Sequence, residues 1–266
     1  MNTLDATEQP GMFCLFKGPS GSGKTVGALS YPDPWMADFD RKMPAIALKH
    51  FKGKSIEYEQ FNDIYAYTDL LTSWIGNCPH ETIVSDSITS MISLILKTTG
   101  LAKGEGMEQM LKNMQRFQGK FKQELLTIDY YNAETRIVEH ILDLGKILYT
   151  QPGNPKNVIF TAHILTSESA PDLKTKLTTV TRSIVTAGKK VAAYIPTQFD
   201  EVYLFGTAEA GGLDGQDSHI RHMMTTQISG QDDAKTAFRI ARLTDFTNKN
   251  LYDELQRQIK GEELFS

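Results

Sequence analysis

The sequence predicts an α/β fold in which a mostly parallel central sheet is flanked by helices and carries long mobile loops. Short apolar runs of strand length alternate along the chain with longer segments of helical periodicity, a pattern typical of this class. Three of the runs, at 12–16, 82–86 and 157–163, are nearly continuous in apolar residues, as expected for parallel strands buried on both faces. Polar or glycine-containing segments follow each run, and ligands bind at such positions in open α/β sheets.

The remaining elements follow from the same periodicities. The predicted strands, in chain order, are 12–16, 35–39, 82–86, 157–163, 201–206 and 220–228. The predicted helices between the third and fourth strands are 88–99, 107–127 and 133–149. Residues 166–198 are interpreted as a long mobile loop, with a hairpin as the alternative, and 206–219 as a second mobile connection. We find no internal repeat and expect a single domain over 1–266, with its core at about 10–250.

Composition and charge exclude several classes of protein. The chain has 266 residues and a net charge of -4, so bulk positive charge cannot attract nucleic acid, although a local basic surface can. Its two cysteines, Cys14 and Cys78, lie outside any CxxC pattern, which argues against a disulfide framework or a zinc site. We find no signal peptide and no apolar run of the roughly 18–20 residues that a membrane helix needs. We therefore expect a cytoplasmic protein without a membrane partner.

A phosphate-binding motif follows the first strand. Residues 18–25 match G-x-x-x-x-G-K-S/T at every fixed position and lie between an apolar run and a predicted helix. Backbone N–H groups of such a loop surround phosphates, the lysine reaches the β- and γ-phosphates, and the hydroxyl of the last residue binds Mg²⁺. A glycine- and serine-rich turn without a ligand is the alternative. The predicted ATP-binding residues are Gly18, Pro19, Ser20, Gly21, Ser22, Gly23, Lys24 and Thr25.

A second acidic feature ends the third strand. Asp86 closes a run of β-forming residues, as the metal-binding aspartate of a Walker B strand does, and we expect it to share Mg²⁺ with Thr25. A helix cap or turn residue is the alternative. Many such ATPases carry a glutamate directly after this aspartate, but here the position holds Ser87. The group that activates water must therefore come from elsewhere, and Asp38 and Asp40 at the end of the second strand are the best candidates.

Taken together, the phosphate loop, the acid-x-acid pair, "VSDS" and "FTAH" resemble the RecA-like ATPase core over about residues 10–250. More closely, the chain resembles small phage-encoded RecA-like ATPases, often described as AAA-domain proteins, some of which are single-strand annealing proteins. The resemblance implies that Asp40 is the catalytic base, although the family carries a glutamate there. It also implies that His163 senses the γ-phosphate; a strand-end histidine bound to the backbone is the alternative.

The resemblance further implies that the active form is an oligomer. Arg239 and Arg242 fall where relatives carry arginine fingers that reach the ATP of a neighbouring subunit. In that case each site is completed by a second copy, in a ring or in a filament. Two solvated arginines on an edge element are the alternative.

Two basic segments are candidate contacts for single-stranded DNA. Segment 97–122 has six basic and two acidic residues, and segment 172–190 has five and one, so each carries a net charge of +4. Phe117 and Phe121 could stack on bases, or belong to the core. The second segment also falls where the resemblance implies a DNA-binding loop, whereas solvated faces are the alternative for both. The candidate residues are Lys112, Arg116, Lys120, Lys174, Lys176, Arg182, Lys189 and Lys190.

The sequence thus leads to one main hypothesis and two alternatives. The main hypothesis is an oligomeric ATPase that binds single-stranded DNA in phage recombination or annealing, with a single-strand-binding protein as a further partner. The first alternative is a P-loop ATPase that acts on protein partners in assembly, packaging or remodelling. A small-molecule kinase is disfavoured because we find no arginine-rich lid.

Overall fold

The computed structural model describes residues 11–51, 54–100, 107–117, 121, 132–168, 180–186, 189–210, 219–226, 234–238 and 240–261. The strands within these ranges are β1 (Phe13–Gly18), β2 (Pro34–Asp38), β3 (Glu57–Glu59), β4 (Thr82–Asp86), β5 (Asn157–Glu168), β6 (Val180–Ile184), β7 (Glu201–Ala210), β8 (His219–Thr225) and β9 (Leu243–Asp245). The helices are α1 (Lys24–Ala28), α2 (Met43–His50), α3 (Ile64–Trp74), α4 (Ile88–Thr99), α5 (Met107–Met114), α6 (Ala133–Tyr149), α7 (Lys189–Tyr194) and α8 (Leu251–Ile259).

The strands form one sheet, in the order β3-β2-β4-β5-β1-β7-β8-β9, with β6 paired to the outer part of β5. All neighbours from β3 to β7 are parallel, whereas β8 and β9 extend the sheet in antiparallel fashion. The predicted fold class, a mostly parallel sheet flanked by helices, is therefore confirmed. Within the part of the chain that the structure describes, no helix combines the length and apolar character needed to cross a membrane.

Side-chain alternation along β1 divides the core into two layers. Phe13 and Leu15 belong to the layer that packs against α3, α4 and α6, while Cys14 and Phe16 belong to the layer that packs against α1 and α8. Each of these four side chains is at most 1% exposed. Burial on both faces requires apolar residues at successive positions, which explains the continuous apolar runs of the central strands.

The predicted strands are confirmed, although the one at 220–228 ends at Thr225 and its residues 227–228 lie outside the described residues; β5 and β7 are longer than expected, and β3, β6 and β9 were not predicted. The predicted helices at 88–99 and 133–149 are confirmed as α4 and α6. The helix predicted at 107–127 is confirmed from Met107 to Met114 as α5 and is wrong at 115–117, where a turn brings Phe117 into the core, while Phe121 is helical and 118–120 and 122–127 lie outside the described residues.

Within 166–198, the described residues form β5, β6, α7 and a short 3-10 helix except at Val185 and Thr186, so the mobile-loop interpretation is wrong there. Glu168 pairs with Val180 at the outer end of the antiparallel β5–β6 hairpin, and α7 follows, which confirms the hairpin alternative. Residues 169–179 lie outside the described residues. The second predicted connection is strand at both ends, in β7 and β8, and its centre, 211–218, also lies outside them.

Because they run parallel, β1, β2, β4 and β5 all end at the same edge of the sheet. Gly18 at the end of β1 is in register with His163 of β5, and Asp38 at the end of β2 is in register with Asp86 of β4. Because β5 lies between β1 and β4, the end of β5 lies beside both the phosphate loop and Asp86. This edge therefore holds the start of the phosphate loop, the acids that end β2 and β4, and His163.

Candidate nucleotide-binding site

The phosphate loop joins β1 to α1, and the side chain of Lys24 is hydrogen-bonded to carbonyl groups of the same loop. Gly21 and Gly23 have φ angles of 77° and 92°, in the left-handed region that glycine adopts without strain. Lys24 is 5% exposed, and its Nζ donates hydrogen bonds to the carbonyl oxygens of Gly18 at 2.8 Å and Pro19 at 2.7 Å. Burial lowers the pKa of Lys24 to about 8, although Asp86 opposes the change. An anionic ligand in the loop would favour the charged ammonium.

Asp86, at the end of β4, is hydrogen-bonded both to the residue that follows Lys24 and to the central strand β5. The Thr25 hydroxyl donates to Asp86 Oδ2 at 2.9 Å, and the Thr161 hydroxyl of β5 donates to Asp86 Oδ1. The Asp86 side chain is buried, and this burial raises its pKa, opposed by the hydrogen bonds from Thr161 and Thr25. A carboxylate and a hydroxyl in contact are oxygen ligands of the kind that Mg²⁺ prefers, with phosphate and water completing the shell. These two side chains therefore fit a magnesium ion shared with a nucleotide.

The two acids that end β2 have different surroundings. Asp38 is fully buried and accepts hydrogen bonds from the backbone N–H groups of Lys42 and Met43 and from Gln60 Nε2. Asp38 therefore stabilises the start of α2. It is not among the described residues that line the cavity over the phosphate loop. Asp40 does line that cavity, which favours it over Asp38 as the candidate base.

Asp40 is surrounded by hydrogen-bond donors. Lys42 Nζ lies 2.9 Å and His163 Nε2 3.0 Å from its Oδ2, while the hydroxyls of Ser87 and Ser90 donate to its Oδ1. Burial alone would raise the pKa of Asp40, but the hydrogen bonds from His163, Ser90, Lys42 and Ser87 hold it well below its usual range. The carboxylate therefore remains ionised at neutral pH.

His163 combines a backbone role with a position at the site. Its N–H donates to Thr89 Oγ1 at 3.1 Å, and its carbonyl accepts from the Val185 N–H at 2.9 Å at the root of the β5–β6 hairpin. Its ring contacts Asp40 and is about a quarter exposed. Both interpretations made from the sequence fit this geometry, and the sensor role stays a prediction.

A cavity of about 820 Å³ opens over the phosphate loop. Lys24, Thr25, Asp40 and His163 are among the residues that line it, beside α2 and the residues from Phe246 to Leu251 that lead into α8. Gly23 is packed so closely that a Cβ there would lie 3.1 Å from the Phe246 ring. Pockets of several hundred Å³ with a few convergent polar groups are typical small-molecule sites.

Of the two predicted arginine fingers, only Arg242 is described, and it lies apart from this cluster. Arg242 is exposed directly before β9, and its carbonyl accepts from the Thr226 N–H at 3.1 Å. It is absent from the described residues that line the cavity. Arg239 lies outside the described residues.

Two candidate DNA contacts in the basic segment at 97–122, Lys112 and Arg116, have partners within the protein. Lys112 pairs with Glu108 at 3.1 Å, while Arg116 lies 3.5 Å from Asp63 and 4.2 Å above the ring of Tyr65.

Its two aromatic residues pack inward. Phe117 is 4% exposed, and Phe121 packs between Phe117 and the ring of His140. The suggestion that these two rings stack on bases is therefore wrong, because they are occupied within the fold, and the core alternative is confirmed.

The second basic segment lies partly on described elements. Arg182 is in β6, opposite Thr166 of β5, and Lys189 and Lys190 begin α7. The candidate contacts that lie outside the described residues are Lys120, Lys174 and Lys176. Binding of DNA by any of these residues stays a prediction.

Sequence reasoning missed several polar residues of the site. Thr161 holds Asp86, and three hydroxyl residues at the start of α4, Ser87, Thr89 and Ser90, hold Asp40 and His163. The available signal was weak, because Thr161 lies two positions before His163 in "FTAH" and the α4 hydroxyls follow Asp86 directly. Hydroxyl residues at such positions are usually caps.

Comparison with known protein families places the chain in one of them. A family model described as an AAA domain matches residues 11–238, which include the phosphate loop, Asp40, Asp86 and His163 but neither arginine. No curated protein matches the sequence.

We predict that Asp38 and a second aspartate differ in their effect on stability. Asp38→Ala would leave three donors at the start of α2 without their acceptor and should lower the free energy of unfolding by about 1–3 kcal/mol. Asp69→Ala, at an exposed position of α3, is the matched control and should change it by no more than about 0.5 kcal/mol. Urea denaturation measures both, and equal losses would contradict the structural role of Asp38.

Proposed function

Since the chain belongs to the AAA domain family, we propose that it is a Mg²⁺-dependent, RecA-like ATPase that binds single-stranded DNA as an oligomer. Its family membership makes it a nucleotide-binding ATPase. The observation that carries the finer proposal is the convergence of Lys24, Thr25, Asp86, Asp40 and His163 at one edge of the sheet, with four of the five lining one cavity.

Each of these residues has a distinct task in the proposed reaction. The loop N–H groups and the Lys24 ammonium bind the phosphates, and Lys24 exchanges its bonds to the loop carbonyls for bonds to phosphate oxygens. Thr25 and Asp86 would hold Mg²⁺, which would supply positive charge to the phosphate oxygens during transfer. The low pKa of Asp40 keeps it ionised, so it can accept a hydrogen bond from the attacking water.

In the proposed hydrolysis, one bond to the γ-phosphorus forms and another breaks. The water oxygen forms a bond to the γ-phosphorus, the bond between that phosphorus and the bridging oxygen breaks, and ADP leaves with the electron pair. Asp40 orients the water and takes up its proton as the new bond forms, after hydrogen bonds that hold its pKa low, such as the one from His163, have been released. His163, 3.0 Å from Asp40, is placed to donate to a γ-phosphate oxygen once it leaves the carboxylate.

The β5–β6 hairpin supports the DNA-binding part of the proposal. It begins at His163 and carries Arg182, and the sequence places Lys174 and Lys176 between its two strands. Basic residues on a projecting element suit the phosphate backbone of a single strand. In this proposal the protein acts in phage recombination or annealing, in the cytoplasm of the bacterial host, together with a single-strand-binding protein.

We predict that two substitutions separate binding from hydrolysis. Lys24→Ala should abolish both, because the phosphates lose their buried cation. Asp40→Asn should bind ATP normally but lower kcat about 10²- to 10⁴-fold, as loss of a general base does. A fluorescent ATP analogue measures binding and phosphate release measures kcat, with Lys97→Ala on exposed α4 surface as the control. Full activity in Lys24→Ala would overturn the proposed site.

We predict that single-stranded DNA stimulates hydrolysis and binds in a salt-dependent manner. Affinity for an oligonucleotide should fall steeply between about 50 and 200 mM salt, because neutralised phosphates release counterions. A variant with alanine at Lys174, Lys176 and Arg182 should lose the stimulation while keeping its DNA-free rate, and Lys260→Ala, at an exposed lysine outside both basic segments, should keep both. Absence of both stimulation and salt-sensitive binding would exclude the DNA-binding role and favour a protein partner.

We predict that Arg242 acts on the site of a neighbouring subunit. Arg242→Ala should lower kcat about 10³-fold or more, as loss of an arginine finger does. Mixing it with the equally inactive Lys24→Ala chain should restore activity, since some interfaces then pair an intact loop with an intact Arg242. Arg221→Ala, at an exposed arginine of β8, is the control. Full activity of Arg242→Ala alone would show that the assignment is wrong.

A further inference from the structure

The first turn of α4 carries more hydroxyl groups than the helix needs. The helix begins directly after Asp86, and Ser87 is its N-cap, with its Oγ accepting from the Ser90 N–H at 3.3 Å. Ser87 already supplies the capping side chain of this helix start. Thr89 and Ser90 are poor helix formers, and neither is needed as a cap. Their contacts outside the helix therefore indicate another role.

Two of these hydroxyls hold one oxygen of Asp40. Ser87 Oγ donates to Asp40 Oδ1 at 2.9 Å, and Ser90 Oγ donates to the same atom. The other oxygen, Oδ2, meets Lys42 and His163. The backbone N–H of Asp40 donates to the Asp86 carbonyl at 3.1 Å. The carboxylate is thus anchored to α4 through Oδ1, which leaves Oδ2 as the oxygen that can exchange partners.

The third hydroxyl holds His163. Thr89 Oγ1 accepts from the backbone N–H of His163 at 3.1 Å, while the His163 ring contacts Asp40 Oδ2 at 3.0 Å. One helical turn therefore contacts both the acid and the histidine, which are 123 positions apart in the chain. A displacement of either residue relative to the other would break bonds to this turn.

We propose that Ser87, Thr89 and Ser90 are positioning residues for hydrolysis, which hold Asp40 and His163 in a fixed relative geometry. The inference rests on the proposed function, because it concerns the same reaction. Transfer of a phosphoryl group depends on alignment, and misplacement by about 1 Å is enough to cost about 100-fold in rate. The hydroxyls act through Asp40 and His163 and touch no substrate themselves.

Conservative and non-conservative substitutions at Ser90 test the proposal. Ser90→Ala should lower kcat about 10- to 100-fold, the effect of losing a hydrogen bond to a charged group, while KM and the affinity for a non-hydrolysable ATP analogue stay within about two-fold. Ser90→Thr keeps the hydroxyl and should recover most of the rate. Thr89→Val and Thr89→Ser form the second such pair. Ser93→Ala is the control, because the Ser93 hydroxyl bonds only the Thr89 carbonyl of its own helix.

A double substitution distinguishes positioning from a general contribution to stability. If Ser90 acts through Asp40, the chain with Ser90→Ala and Asp40→Asn should have the same kcat as Asp40→Asn alone. Additive losses, failure of Ser90→Thr to recover the rate, or an unchanged kcat in Ser90→Ala would each overturn the proposal. A melting temperature for every variant identifies any that fails to fold, and for those the Thr89 pair gives the answer.

The same experiments distinguish a failure of the proposed function from a failure of the positioning role alone. If the wild-type chain does not hydrolyse ATP, the proposed function and the positioning role both fail. If the wild-type chain is active and Asp40→Asn is impaired but Ser90→Ala and Thr89→Val are not, only the positioning role fails.

Discussion

One buried carboxylate connects the parts of this site. The two oxygens of Asp86 accept from Thr25 at the start of α1 and from Thr161 in β5, and its carbonyl accepts from the backbone of Phe39 and Asp40. Burial of a charge is unfavourable unless hydrogen bonds or a cation offset it, which is why burial raises the pKa of Asp86. The phosphate loop and the strand that bears His163 are bound to the Asp86 side chain, and the candidate base is bound to its carbonyl, so all three are positioned relative to this one residue.

The fold was predictable where burial requires a run of consecutive apolar residues. Central strands such as β4 lie between two layers of helices, so successive residues must be apolar and the run is visible in the sequence. β3 consists of three exposed residues, Glu57 to Glu59, at the edge of the sheet, and carries no such trace. β6 exists because it pairs with the outer part of β5, a partner that composition does not reveal.

The site residues were predictable when their role depends on neighbours in sequence, and not when it depends on contacts with distant parts of the chain. The phosphate loop was predictable because its function depends on consecutive residues. Asp38 and Asp40 could not be separated from the sequence, since the difference between them is what each contacts after folding. Thr161 was missed because its partner, Asp86, is 75 positions away, and Phe117 was given a candidate surface role because basic neighbours in sequence do not show that its ring is buried.

The length of β5 has a mechanical consequence. Its residues from Val158 to His163 pair with β1, whereas those from Ile164 to Glu168 pair with β6 alone, so five residues extend beyond the ladder with β1. At about 3.3 Å per residue, they form an arm of roughly 16 Å whose pivot is His163. A tilt of about 4° at the pivot would move the far end by about 1 Å over that length. A small rotation at His163, beside Asp40, is thereby amplified into a displacement large enough to make or break a hydrogen bond at the far end of the arm.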